Sequence, residues 1–198
     1  MNAPRRPRPM SRRSFLRRAA ATGAALALGG GRALAQGAAT STLPEAGMEL
    51  EVAFELVRPR TGNYYRPYVA VWLADLDGVP VRTLALWVQQ SSSRYSGELR
   101  RWFIDEGTRQ NLYGGDLVPT VSSATRPAGR YVVVWDGLDD QGRPAPAGDY
   151  LLNIESSRQQ GYYVLIREPV TLGAQPFETS FPGSRDIGEV AVAYRRRS

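Results

Sequence analysis

Three carboxylates, Asp136, Asp139 and Asp140, sit close together in Trp135-Asp136-Gly137-Leu138-Asp139-Asp140-Gln141-Gly142-Arg143-Pro144-Ala145-Pro146-Ala147-Gly148-Asp149-Tyr150. Clustered carboxylates are what a hard cation such as calcium requires, but a calcium loop alternates its oxygen ligands around a Gly and closes on a Glu. Asp136, Asp139 and Asp140 do not keep that alternation and no Glu closes the run, so no metal is assigned to it. The pattern predicts a tight inter-strand connection instead, in which Asp and Gly make the turn and the prolines stiffen it. A second set of residues is aromatic and cationic. Tyr64, Tyr65 and Arg66 precede an apolar run, while Arg94, Tyr95, Arg100, Arg101 and Trp102 flank a helical pattern. Guanidinium and aromatic planes stack on flat rings and sugars, which makes Tyr65, Arg66, Tyr95, Arg100, Arg101 and Trp102 a candidate partner surface. The competing reading places Trp72, Trp87 and Trp102 in a core or at its rim, where large aromatics usually sit.

Missing residue types exclude more chemistry than the present ones suggest. The 198 residues contain no His, no Cys and no Lys. An ordinary imidazole base, a thiolate nucleophile, a zinc ribbon, a cysteine-held cluster, a Schiff base and a phosphate-loop lysine are therefore all absent. An enzyme would have to work with carboxylates, hydroxyls, Tyr or Arg. No pair of carboxylates stands out as the acid and nucleophile of a glycosidase. No catalytic residue is assigned, and the chain reads as a binding protein rather than an enzyme.

The elements that would position these residues are mostly strands. Met48, Leu50, Val52, Phe54 and Leu56 alternate with Glu49, Glu51 and Glu55, the period of a strand with one wet face. Residues 67–76 are a continuous apolar run suited to a central strand, and Asp77-Gly78 turns the chain into a hairpin partner over 81–88. Leu99, Trp102 and Phe103 recur at helical spacing and predict one short helix within 95–104. Residues 107–129, rich in Gly, Ser, Thr, Asn and Pro, read as one long loop, a kind of segment that is often functional. Strands resume over 131–135, 150–155, 162–167, 177–181 (an edge) and 190–194. Seven or eight short strands predict an all-β, immunoglobulin-like β-sandwich. No internal repeat is expected.

The first 35 residues carry an address. Arg12-Arg13 stands before a weakly apolar run from Ala19 to Leu28, and Ala33-Leu34-Ala35 supplies a small-x-small cleavage site. Such a run is far shorter than the roughly 20 apolar residues that span a bilayer. The expected organisation is a twin-arginine (Tat) signal peptide over 1–35 cleaved after Ala35, a linker over 36–47, and one sandwich domain over 48–198. The expected location is the periplasm, with the Tat translocase and signal peptidase as export partners. Eight of the 25 cationic residues lie between Arg5 and Arg32 with no acidic residue among them, so the mature chain keeps 17 cations against 19 anions. That net of −2 offers no basic excess for nucleic acid.

The run W-D-G-x-D-D-x-G-x-P-x-P-x-G-x-Y resembles the Ig-like module of flagellar hook-capping proteins. The wider chain resembles a family of predicted periplasmic, exported proteins of unknown function. Tyr65-Arg66-Pro67-Tyr68-Val69-Ala70-Val71-Trp72, the stretch from Pro80 to Trp87, Leu99-Arg100-Arg101-Trp102, Ala124-Thr125-Arg126-Pro127-Ala128-Gly129 and the Asp-rich turn carry this likeness, across most of residues 48–195. The resemblance implies service in an extracytoplasmic flavin-dependent redox system, beside a PepSY-type membrane protein and a flavin transferase. That transferase's acceptor signature is Asp followed by Ser-Gly-Ala-Thr, whose Thr takes flavin mononucleotide (FMN) as a phosphoester. Ser122, Ala124 and Thr125 match it, Ser123 replaces the Gly, and Pro119 stands near the Asp position. Thr125 is thus the candidate FMN site, against the plainer reading of a polar loop before a strand. The leading expectation is an exported binding or accessory protein. A covalent FMN carrier, an assembly scaffold and a hydrolase or sugar-binding module are its rivals. The scaffold fits least well, because flagellar parts leave through their own secretion apparatus.

Overall fold

A computed structural model describes residues 47–60, 63–89, 95–159 and 161–197, of which 95 and 96 by their backbone alone. The expected signal peptide, its cleavage site and the linker up to residue 46 lie outside the described residues, as does Arg94. In chain order the elements are β1 (Met48–Leu56), β2 (Tyr68–Ala74), β3 (Pro80–Trp87), α1 (Tyr95–Glu98), α2 (Arg100–Tyr113), α3 (Val118–Val121) and β4 (Ser122–Ser123). Then follow β5 (Gly129–Trp135), β6 (Gly148–Ser157), β7 (Tyr163–Leu172), β8 (Phe177–Phe181) and β9 (Ile187–Arg196). They build an all-β sandwich from a four-stranded sheet, β5-β1-β9-β8, and a five-stranded sheet, β4-β3-β2-β6-β7.

The period-two pattern of β1 explains its place. Met48, Leu50, Val52, Phe54 and Leu56 are all buried while Glu49, Glu51 and Glu55 keep partial exposure. The core between the sheets joins them to Val69, Val71 and Leu73 of β2 and Leu152 and Ile154 of β6. Phe54 stacks on Trp87 of the opposite sheet with centroids 5.6 Å apart, and Trp87 meets Tyr131 edge-on at 4.9 Å. Strand β2 is buried on both faces because its other side, with Tyr68, Ala70, Trp72 and Ala74, lies under Leu99 and Trp102 of the helical segment. Its continuous apolar run is the signature of a strand covered twice. β8 is an edge strand, as expected.

Two expectations need correction. The helical region is neither one short helix nor followed by a long loop. α2 runs fourteen residues to Tyr113, α3 adds a turn with Pro119 near its start, and Ser122–Ser123 pair in parallel with Leu86 and Trp87 of β3. The helical pattern was hidden because the inward positions of α2 after Trp102 are charged rather than apolar: Asp105, Glu106 and Arg109. A short motif also recurs. Pro127-Ala128-Gly129-Arg130-Tyr131 opens β5 and Pro146-Ala147-Gly148-Asp149-Tyr150 opens β6. In the first the Tyr hydroxyl donates to the Pro127 carbonyl at 2.7 Å, and in the second Tyr150 donates to that of Pro146. Each is a tyrosine corner that ties a strand's start to the turn before it. Among the described residues no helix is long and apolar enough to cross a membrane.

Candidate functional site

One end of the five-stranded sheet gathers residues that are distant in sequence. Antiparallel pairing puts the start of β2 beside the ends of β3 and β6, through Val69–Trp87 and Tyr68–Ser157. β4 then brings the segment after it to the same end, and the Val88 N–H donates to the Ser123 carbonyl at 2.8 Å. The result is a cleft of about 290 Å³ lined by Tyr64, Tyr65, Arg66, Tyr68, Gln89, Thr125 and Gln159. Tyr65, Arg66 and Thr125, which the sequence offered for separate reasons, therefore share one site.

Tyr64 marks this cleft. Its hydroxyl is buried and has no hydrogen-bond partner among the described residues. Leaving such a group unpaired costs about 1–3 kcal/mol, so it calls for an explanation. The Arg58 guanidinium lies 5.4 Å from the centre of its ring. Next to Thr125, Arg126 lies over Trp87 and Tyr131, at 4.5 and 5.5 Å, and these stacked planes anchor the chain immediately after Thr125. Thr125 is half-buried. The expected pliable acceptor loop is thus a short connection pinned on both sides, by the β3–β4 ladder and by the arginine stack.

The remaining residues of the candidate partner surface do not line the cleft. Arg100 is exposed with its guanidinium 5.0 Å from the centre of the Tyr163 ring. Arg101 is committed to Asp105, with a 2.8 Å ion pair. Trp102 is not a surface residue: it is buried, and its indole N–H donates to Thr83 Oγ1 at 3.3 Å. The side chain of Tyr95 lies outside the described residues. What gathers under α2 is a buried polar layer that the sequence did not reveal. Glu155, reaching from β6, accepts the backbone N–H groups of Arg101 and Trp102 at 2.9 and 2.7 Å. Burial pushes its carboxyl upward, opposed by those two bonds, and the same desolvation raises Asp105 against the pull of Arg101. Burial, reinforced by neighbouring Glu155, lifts the Tyr163 phenol to about 12. Glu106 and Arg109 form a buried pair at 2.7 and 2.8 Å, and Arg109 also donates to the carbonyls of Gly114 and Gly115.

The Asp-rich turn is occupied by protein donors. Asp139 Oδ1 accepts from the N–H groups of Gln141 and Arg143 at 2.9 and 2.8 Å, and its other oxygen accepts from the Arg143 guanidinium. Asp136 accepts from Leu138 N–H, and Asp140 accepts from Thr83 N–H at 3.1 Å, fastening the turn to β3. Burial pushes the Asp140 carboxyl up to about 6, opposed by the Thr83 bond and Arg82. Among the described residues no three carboxylates converge as a metal-holding group.

Residues 49–189 match the family described as Predicted periplasmic protein (DUF2271). The chain belongs to that family. The DUF2271 match runs from β1 into β9 and so takes in strands of both sheets, the cleft and the Asp-rich turn. No curated protein and no solved structure matches the chain. Tyr68, Gln89 and Gln159 are the cleft residues that sequence reasoning did not offer for a site. The two glutamines follow strand ends with no motif around them, so only the juxtaposition of those ends identifies them.

Proposed function

We propose that this DUF2271 protein is a periplasmic binding protein, an accessory of a membrane-associated flavin-dependent redox system. Its cleft between Tyr64, Arg66 and Thr125 takes a flat, polar ligand of the FMN type. The observation that carries this reading is a cleft lined by Tyr64, whose hydroxyl is buried and unpartnered among the described residues, together with an exposed Arg and two further tyrosines. Arg66 suits a phosphate, the tyrosine rings suit a conjugated plane, and a small shift of the Tyr64 ring would offer its unpaired hydroxyl as a donor. A volume of about 290 Å³ falls at the small end of ligand sites, enough for one ring system with its tail in solvent.

Titration with FMN, followed by quenching of flavin fluorescence, tests it. Arg66→Ala and Tyr64→Phe should each weaken FMN at least about tenfold, the effect of losing one hydrogen bond to a charged or buried group. Tyr64→Phe should also make the free protein slightly more stable, since an unpaired hydroxyl is removed. Undetectable FMN binding by the unaltered protein would sink this reading.

Covalent attachment is a second reading, favoured by the position of Thr125 in the cleft. The pinned backbone on both sides and the side chain at Ser123 oppose it, because a modifying enzyme needs room and slack at the acceptor. Intact-mass measurement of protein made with an active flavin transferase decides the point. The expected product is colourless and unmodified. An adduct abolished by Thr125→Ala would make the chain an electron carrier, whose membrane partner of PepSY type would exchange electrons with it.

A further inference from the structure

The strands of both sheets finish at the same two ends of the sandwich. Arg158, just after β6, donates to Asp186, just before β9, through two bonds of 3.1 Å, and Arg126, before β5, lies over Trp87 at the end of β3. At the opposite end Trp135 of β5 meets Tyr150 of β6, and the Tyr194 hydroxyl of β9 donates to the Gly173 carbonyl after β7 at 2.9 Å. Charge is divided between these ends. Beyond the strand ends around the cleft stand five exposed arginines, Arg58, Arg60, Arg66, Arg126 and Arg185. None of them is paired with a carboxylate among the described residues. The two carboxylates described there are engaged: Asp186 is buried against Arg158, and half-buried Glu98 accepts from the Ser157 hydroxyl at 2.6 Å. Glu55 and Glu189 lie on the outer face of the four-stranded sheet rather than beyond its ends. The far end has the opposite sign, with Asp75, Asp77, Asp136, Asp139 and Asp140 in its turns against Arg143 and Arg197.

Aromatic rings accompany the arginines. The guanidinium groups of Arg58 and Arg185 lie 5.4 and 4.0 Å from the centres of the Tyr64 and Tyr162 rings, and Tyr65 stands next to Arg66. Tyr65, Tyr162 and Val57 are 38%, 51% and 37% exposed at this end. Arginine, with a long apolar stem and a charged head, and tyrosine, with an apolar ring and a polar tip, are side chains that settle at the headgroup level of a bilayer. The five arginines are spread over three connections, β1–β2, β4–β5 and β8–β9, so they suit an extended anionic surface rather than one small anion. A body that is cationic at one end and acidic at the other is also turned by such a surface, even though the expected mature chain carries a net of −2.

We propose that the cleft end of the sandwich seats the protein on an anionic phospholipid bilayer. The five arginines engage lipid phosphates there, and Tyr65 and Tyr162 lie among the headgroups. The cleft is at the same end, so seating brings it to the membrane surface. Seating does not depend on what the cleft binds, and Tyr64, Tyr65 and Arg66 are left unaltered in the test for that reason. Protein recovered from the periplasmic fraction, with loss of the leader verified by intact mass, is floated with phosphatidylcholine vesicles containing about 30 mol% phosphatidylglycerol. It should float at about 0.15 M salt and stay behind at about 1 M, where the screening length falls from about 8 Å to about 3 Å. Vesicles of phosphatidylcholine alone should not carry it. One arginine near an anionic surface tightens binding about fivefold, so Arg60→Gln combined with Arg185→Gln should weaken it about 25-fold. Arg195→Gln combined with Arg197→Gln removes the same charge from the far end and should change binding less than about twofold. Thermal midpoints matching that of the unaltered protein establish that both double variants are folded. Failure of the unaltered protein to float, or equal losses from the two double variants, overturns the proposal. Retention on immobilised polyglutamate without flotation overturns it in favour of an acidic protein partner.

Discussion

Glu155→Ala removes the group that starts α2. The helix has no cap of its own, since Leu99 at the N-cap position offers no side-chain bond. Its first free N–H groups instead reach a fully buried carboxylate on β6, Arg101 at 2.9 Å and Trp102 at 2.7 Å. Two hydrogen bonds to an ionised acceptor are worth about 1.5–3 kcal/mol each, and relief from burying that charge offsets part of the sum, leaving a loss of about 2–4 kcal/mol. Glu155→Gln keeps one acceptor oxygen and turns an amide N–H toward the other donor, so it should cost roughly half as much. Urea titration followed by tryptophan fluorescence is the right assay, because Trp72 and Trp102 both lie at the buried side of this helix. Ellipticity at the helix band should fall in parallel. If Glu155→Ala costs no more than an exposed control such as Glu51→Ala, the capping argument is wrong and packing of Leu99 and Trp102 alone holds α2.

Phe54→Ala should cost about 3–5 kcal/mol, because it empties a site stacked against Trp87 in the inter-sheet core. Glu51→Ala, which breaks only an exposed pair with Arg195, should cost less than about 1 kcal/mol in the same denaturant series. Asp140 is raised from 3.8 to about 6, so the folded state holds its proton more tightly than the unfolded state does. Its contribution is therefore fully present below about pH 3.8 and lost as pH rises through about 6. Asp140→Asn should flatten the fall in stability between those limits, and stability curves of the two proteins that stay parallel there would disprove the assignment. Lysine at both Arg12 and Arg13 should leave an uncleaved precursor in the cytoplasm, and wild-type periplasmic yield on cell fractionation would refute the export reading.

Where the sequence was readable, one residue's neighbours in the chain were also its neighbours in environment. The alternation of β1 sorts Phe54 from Glu55 because a strand has only two faces, and one of them met the core. The continuous run of β2 was readable for the complementary reason that both its faces are covered. The Asp-rich turn was readable because Asp139 folds the segment by bonding its own neighbours. α2 was not readable past Ile104. Its inward residues are charged, and they face inward because each meets a partner there: Glu106 and Arg109 pair with each other, and Asp105 meets Arg101, Trp72 from β2 and Arg167 from β7. Glu155 lies in a strand read over 150–155, and nothing local to it announces that α2 covers it.

Composition and pattern alone determined the class of fold, the inward face of β1, the turn at Asp136–Gly148, and the exclusion of histidine, cysteine and lysine chemistry. Tertiary structure alone decided that Tyr65 and Arg66 share a cleft with Thr125, that Trp102 is core, and that α2 turns its charges in and its apolar residues out. Local pattern reports what a side chain prefers on average. Strand pairing and layer packing decide which distant group it meets, and a buried polar atom owes its stability to that group alone.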